Sequence, residues 1–160
     1  RAVHRSLNLI NFKDNTEKIK NICSNCAYSE GIFSNTLDVE NCVFKALSTN
    51  TIKNLQNNFS REVPISGKIG NSKYSGYIDL LIENNDHYVI VDYKTDSINK
   101  KNSIESKVEK YSKQLATYSV LLKQNGIQKD IKAMFLFLDS SKDIEYEIAD
   151  LSKIETAVSE

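Results

Sequence analysis

The 160 residues carry 21 lysines and arginines against 21 aspartates and glutamates, so the formal net charge is zero and no global basic field announces a nucleic-acid partner. The length suits one globular domain with a real core, and three cysteines are too few for a disulfide scaffold. No signal-peptide pattern and no apolar run long enough to cross a membrane occur, which leads to the expectation of a soluble, cytoplasmic chain. The sequence opens on Arg1 and has no methionine before Met134, as a piece of a longer polypeptide would.

Residues 1–11 read as a helix, with Val3, Leu7 and Ile10 at helical spacing and His4 beside that stripe. A lone histidine in such a place ordinarily packs or caps. Residues 14–59 are polar and asparagine-rich, interrupted by short apolar groups (Ile19, Ile22; Val43, Phe44, Leu47; Ile52, Leu55). That pattern predicts two or three helices with a turn near Ser29-Glu30-Gly31. Residues 1–60 are thus expected as a helical part ahead of a sheet. Cys23 and Cys26 form a C-x-x-C with Cys42 apart. Three cysteines do not complete a tetrahedral zinc site, and His4 and His87 are better placed elsewhere, so these read as ordinary reduced cysteines.

Strands are expected at about 62–69, 72–82 and 88–94, the first pair joined by a Gly70-Asn71 hairpin turn and the second by Glu83-Asn84-Asn85-Asp86. A long helix follows over 104–124 and stops at Asn125-Gly126. Tyr111, Gln114 and Tyr118 share one face of it. A core stripe with Leu115 and Leu122 accounts for Tyr118, but a core has no need of the Gln114 amide. IKAMFLFLD is a buried-strand pattern, and 143–148 a weaker strand. A helix between strands implies a crossover to a parallel neighbour, hence an α/β fold with a mixed sheet and a core at 61–150.

Charge is unevenly spread. Residues 100–132 hold eight lysines against Glu105, Glu109 and Asp130, whereas 133–160 hold two lysines against seven acids. Phosphate contact is expected to concentrate on the long helix and to weaken with salt, although a solvated helix face accounts for most of those lysines.

The stretch most specific to chemistry is GYIDLLIENNDHYVIVDYKTD, residues 76–96. Asp79 stands among leucine and isoleucine, where an ionised carboxylate is costly unless a cation compensates it. Asp92 ends a β-branched run, and strand period two puts Asp92 and Lys94 on one face with Tyr93 on the other. A hairpin would bring Asp79 and Asp92 together. Mg²⁺ is bound through one or two carboxylates plus water and substrate phosphate, which matches this pair. Lys94 beside them can orient an attacking water and offset charge building on a phosphoryl group. A solvated edge strand would explain either aspartate alone, but the joint pattern favours a metal-dependent nuclease.

Here the chain resembles the RecB-type nuclease domains of the PD-(D/E)XK superfamily. The resemblance rests on Asp79, on Asp92-Tyr93-Lys94-Thr95, on Tyr111, Gln114 and Tyr118, on Glu62 in REVPISGKI and on His4 in RAVHRSL. The order of these motifs, and PISGKIGNSKYSGYIDLLI in particular, is similar to the C-terminal nuclease domain of AddA-type helicase-nucleases. That resemblance implies a restriction-endonuclease-like core with His4, Asp79, Asp92 and the Tyr93 carbonyl as ligands of Mg²⁺, with Mn²⁺ able to substitute. Lys94 would assist the nucleophilic water, with Glu62, Gln114 and Tyr118 completing the catalytic set. Glu62 reads equally as a surface acid on its strand. The resemblance further implies DNA as substrate, as single strands or duplex ends, with exonuclease work in double-strand-break repair and recombination. It implies a helicase motor in the same polypeptide and a second nuclease-helicase subunit. Some relatives carry an iron-sulfur cluster on four cysteines, which this chain lacks. No Walker A motif is present, so any ATPase lies outside these residues. The alternative is a catalytically silent nuclease-like module that binds DNA or scaffolds a helicase complex.

Overall fold

A computed structural model of the chain describes residues 1–96 and 103–160; Lys100 and Lys101 of the basic stretch lie outside them. Its centre is a mixed sheet in the order β1-β2-β3-β4-β5, formed by β1 (Phe59–Ile69), β2 (Ser72–Glu83), β3 (His87–Lys94), β4 (Asp130–Phe137) and β5 (Glu145–Glu147). Neighbours run antiparallel except β3 and β4, which are parallel because the helix α5 (Ile104–Gln124) carries the chain back between them. The ends of α5 follow from local chemistry. The Ser103 side chain accepts from the Ser106 N–H at the start, and Asn125 with Gly126 at φ +100° stops the helix. Gly70, at φ +57°, makes the two-residue turn between β1 and β2.

Helices cover both faces of the sheet. On one side α1 (Ala2–Leu9), α2 (Thr16–Ser29), α3 (Thr36–Ser48) and α4 (Asn50–Lys53) bury an apolar cluster that includes Leu80, Ile82, Val91, Tyr93 and Leu136, with an exposed 3₁₀ turn (Phe33–Asn35) ahead of α3. On the other, α5 and α6 (Leu151–Ser159) close over Ile65, Ile78, Ile90, Phe135 and Phe137. Cys23 and Cys26 are buried in the first cluster, where burial pushes the Cys23 thiol up to about 11 and leaves it a small apolar filler.

β1 and β2 do not keep one face throughout. Leu80 belongs to the first cluster and Ile78, two residues before it, to the second; Phe59 packs with the first and Val63 with the second. Regular alternation would keep each pair on one side. The reversal falls at Glu62, whose φ of +45° is left-handed, between the pairs Arg61 with Leu80 and Val63 with Ile78, so Glu62 lies across from Asp79. A glutamate in that conformation is strained.

Helix α1 is fastened to this point. Arg61 donates to the carbonyls of Asn8 (2.9 Å) and Ile10 (2.6 Å), satisfying acceptors that the end of α1 leaves open, and its guanidinium lies 4.1 Å from the Phe12 ring centroid.

Most expected elements are found, and three points differ. β1 begins earlier than 62, at Phe59. The weak strand after β4 shrinks to three residues, and α6 follows it unannounced. The charge of the basic stretch is partly offset by acids: Lys107 is buried against Asp96, and Lys123 and Lys129 pair at the surface with Glu155 and Glu83, while Lys110 and Lys113 are exposed.

Candidate active site

The reversal in β2 and the end of β3 bring four of the expected side chains together. Asp79 Oδ2 accepts the backbone N–H of Tyr93 at 2.8 Å and lies 3.4 Å from His4 Nε2. Paired residues of β2 and β3 end at Leu80 opposite Val91, so the Asp79 side chain takes the place of the next ladder acceptor. Both contacts use Oδ2; among the described residues Oδ1 has no hydrogen-bond partner. The His4 ring also meets Tyr93 edge-on at 5.9 Å.

Asp92 lies on the α5 side of β3, as period two predicts, with Lys94 beside it. The Lys94 ammonium is 2.7 Å from Asp92 Oδ2, but off the line a hydrogen bond needs, so the contact is an ion pair and the buried oxygen still lacks an aligned donor. Burial is the main force on the Asp92 carboxyl. It outweighs the lowering by Lys94, and the charge of Asp79 adds to it, so the group is pushed up to about 6. For His4 burial pulls the imidazole down, yet the bond to Asp79 and the charges of Asp79 and Asp92 together hold it above the ordinary histidine value.

Glu62 is exposed and, with His4, Arg5 and Asn8, lines a cleft of about 700 Å³ on the α1 side. The sequence could not choose between site and surface for it; in the structure it is an exposed acid opposite Asp79. Gln114 and Tyr118 fall elsewhere. The Gln114 amide donates to the Tyr118 hydroxyl at 3.0 Å, and together they line a second cleft of about 550 Å³. That hydroxyl occupies the space a Cβ at position 76 would need, which is why glycine stands there. Among the described residues no hydrogen bond or ion pair links Gln114 or Tyr118 to Asp79, Asp92 or Lys94.

Sequence reasoning passed over Asp96 and assigned Tyr111 no task. Asp96 accepts from the Tyr111 hydroxyl at 2.6 Å and pairs with Lys107 at 3.2 Å, and the Tyr111 ring centroid lies 4.1 Å from Lys94 Nζ. The available signal was a second acid closing DYKTD, residues 92–96.

Among the described residues no three histidine, cysteine or carboxylate side chains form a ready metal cage. The donors present nonetheless suit a hard divalent cation. Among the described residues Asp79 keeps a carboxylate oxygen without a partner, Asp92 has a buried oxygen with no aligned donor, and an imidazole stands beside Asp79. Mg²⁺ asks for one or two carboxylates and keeps several waters, so an open site of this kind meets its needs.

Residues 38–160 match the family model described as the PD-(D/E)XK nuclease superfamily. The chain belongs to that superfamily. Its members are generally nucleases that typically work with divalent metal ions. The mixed five-stranded sheet with flanking helices is the restriction-endonuclease-like fold of the PD-(D/E)XK superfamily. The match takes in Glu62, Asp79, Asp92, Tyr93, Lys94, Gln114 and Tyr118; His4 precedes it, so the imidazole is tied to the site by its contact with Asp79 alone. No curated protein is significantly similar in sequence. A solved structure titled "Crystal structure of SSO0001" aligns over 97% of this chain and 69% of that one at 17% identity with a TM-score of 0.42, a loose likeness that adds nothing to the assignment.

Proposed function

We propose that the chain is a metal-dependent deoxyribonuclease, of the exonuclease kind used in double-strand-break repair and recombination, and the nuclease part of a longer helicase-nuclease. The observation that carries the reading is the meeting of Asp79 and Asp92 in apolar strands, one with an open oxygen and the other with an unaligned one, beside Lys94 and His4. Asp92 is buried and Asp79 half-buried, and two acids so placed oppose folding unless positive charge joins them. A bound Mg²⁺ or Mn²⁺ would supply a Lewis acid for the phosphoryl oxygen and an acidified water.

The protein's own groups do the rest. Asp79, held by the Tyr93 N–H, and Asp92 present carboxylate oxygens from adjacent strands, and His4 Nε2 adds a neutral nitrogen from α1. The Tyr93 carbonyl is proposed as a further oxygen donor. A cation held by Asp92 would displace Lys94 from that carboxylate. Its ammonium would then be free to orient the attacking water and to offset charge on the scissile phosphate. Glu62, in the cleft that His4 opens to, is proposed to meet the second water or the leaving strand. Gln114 and Tyr118 hold DNA rather than the metal, since they bond each other in a separate cleft.

The test is direct. Linear single-stranded DNA and duplexes with free ends are incubated with the chain and Mg²⁺ or Mn²⁺, with and without EDTA. Metal-dependent release of nucleotides from an end is the expected result. DNA binding without cleavage at every metal and salt concentration would leave a nuclease-like binding module of a helicase complex.

A further inference from the structure

Lys94 poses a problem that Asp92 alone does not solve. In the metal-free protein the ammonium rests on Asp92 Oδ2. Once a cation occupies that carboxylate, the ion pair is lost, and a lysine on a four-carbon stem is free to swing to water or to another acid. One alternative is Asp96, two residues along the chain, whose carboxyl already feels the Lys94 charge.

We propose that Tyr111 is a positioning residue that keeps the Lys94 ammonium in the site when Asp92 releases it, with Asp96 and Lys107 holding the ring in place. The inference rests on the nuclease reading for its purpose and on geometry for its substance. Lys94 Nζ lies over the Tyr111 ring, 4.1 Å from its centroid, a distance at which the ring's negative face attracts a cation without neutralising it. That difference matters, because a carboxylate would compete with phosphate for the ammonium, whereas an aromatic face leaves its N–H groups available. The ring is fixed at its far end by the Tyr111 hydroxyl donating to Asp96 Oδ2. Lys107, buried on α5, pairs with the same oxygen and offsets the Asp96 charge, so Asp96 has less pull on Lys94. One helix turn of α5 thus carries both the ring and its anchor, while Asp92, Lys94 and Asp96 all come from the end of β3 and the residues just after it.

The experiment compares Tyr111→Phe, which keeps the ring and loses the hydroxyl, with Tyr111→Leu, which loses both. Selectively labelled lysine gives a direct readout, because a side chain over an aromatic face has its ε-methylene protons shifted upfield. Lys110 also lies over the Tyr111 ring, at 4.9 Å, so the experiment is run in a Lys110→Arg background; there the Lys94 signal is expected upfield without metal and to stay there at saturating Mg²⁺. Tyr111→Phe should keep the shift and stay within about threefold of wild-type kcat. Tyr111→Leu should lose the shift and about tenfold in kcat, with KM for DNA and calorimetric Mg²⁺ affinity unchanged. Thermal unfolding of both variants checks that each remains folded.

An unshifted Lys94 signal in wild type, or the same signal in wild type and Tyr111→Leu, overturns the proposal. So does a kcat lost equally in the two variants, which would place the effect in the hydroxyl. A wild-type chain that cuts no DNA yet shows the Tyr111-dependent shift would refute the nuclease reading and leave the positioning standing.

Discussion

Replacing Asp92 by asparagine should make the metal-free protein more stable while ending catalysis. The carboxyl is pushed up to about 6 by burial, from an ordinary value near 3.8. An acid raised on folding penalises the folded state once ionised: the penalty is absent below about pH 4, grows through the window from 4 to 6, and is complete above it. A rise from 3.8 to about 6 corresponds to about 3 kcal/mol at pH 7.5. Asparagine imitates the protonated form, so the variant should gain up to that amount. For a chain of this size each kcal/mol moves Tm by roughly 2–4 °C, giving an expected rise of roughly 6–12 °C. Thermal unfolding in EDTA at pH 7.5 and again at pH 4 measures it, and the gain should vanish at the lower pH. Adding Mg²⁺ should then raise the Tm of wild type well above that of the variant in metal, because binding to the folded state stabilises it by mass action. A variant less stable than wild type at pH 7.5, or equally stabilised at pH 4, would refute the view that Asp92 is a destabilising buried acid awaiting a cation.

Asp79 should behave differently, since its carboxylate also closes the strand ladder: Asp79→Ala leaves the Tyr93 N–H without its acceptor and should cost about 1–3 kcal/mol, while Asp79→Asn keeps an acceptor and most of the stability, both being inactive. Urea unfolding of the two variants separates the cases, and equal stability would show that the Tyr93 bond is incidental. His4→Ala should weaken Mn²⁺ binding at least about tenfold by calorimetry, with activity recovered as Mn²⁺ is raised. In the metal-free protein the His4 imidazolium stabilises the fold below about pH 6.5 and that contribution is lost as pH rises through its raised folded value, so His4→Ala should lower Tm at pH 5.5 more than at pH 8.5. Lys94→Ala should cut kcat by about 10²–10³ while Mg²⁺ affinity holds or improves, because no ammonium has to be displaced from Asp92. Lost metal binding with a normal rate at saturating metal would exclude the role given to Lys94.

Local chemistry made the end of α5 legible, because an Asn-Gly stop is written in adjacent residues; the Ser103 cap at its start came only with the structure. The parallel pairing of β3 and β4 followed from the helix between them, and Asp92 met Lys94 because period two holds to the end of β3. Alternation failed where β1 and β2 exchange faces, since nothing in REVPI announces a left-handed glutamate; tertiary packing imposes it. The same failure left the place of Glu62 undecided. Helix α6 had a signal, Leu151, Ile154 and Val158 at helical spacing, but it is short and uncapped by any side chain. Charge counting over the lysines after residue 100 could not see their partners, because Glu155 and Glu83 come from distant parts of the chain and Asp96 from just before the helix.

The site also has an order of assembly built into it. Asp79 and Asp92 sit on neighbouring strands of one hairpin, a short loop apart, so closing that loop costs little entropy and needs no other part of the molecule. His4 lies at the other end of the sequence, across the whole helical layer, and reaches Asp79 only when α1 has docked and Arg61 has gripped its last carbonyls. A chain with the sheet formed and α1 adrift would therefore hold both acids without the imidazole. Fluctuation of one short helix, held by Arg61 and by the packing of Ala2, Val3 and Leu7, can then switch the ligand set between two compositions while the catalytic hairpin stays folded. Amide exchange in α1 and the loss of high-affinity Mn²⁺ binding should accordingly share one opening free energy.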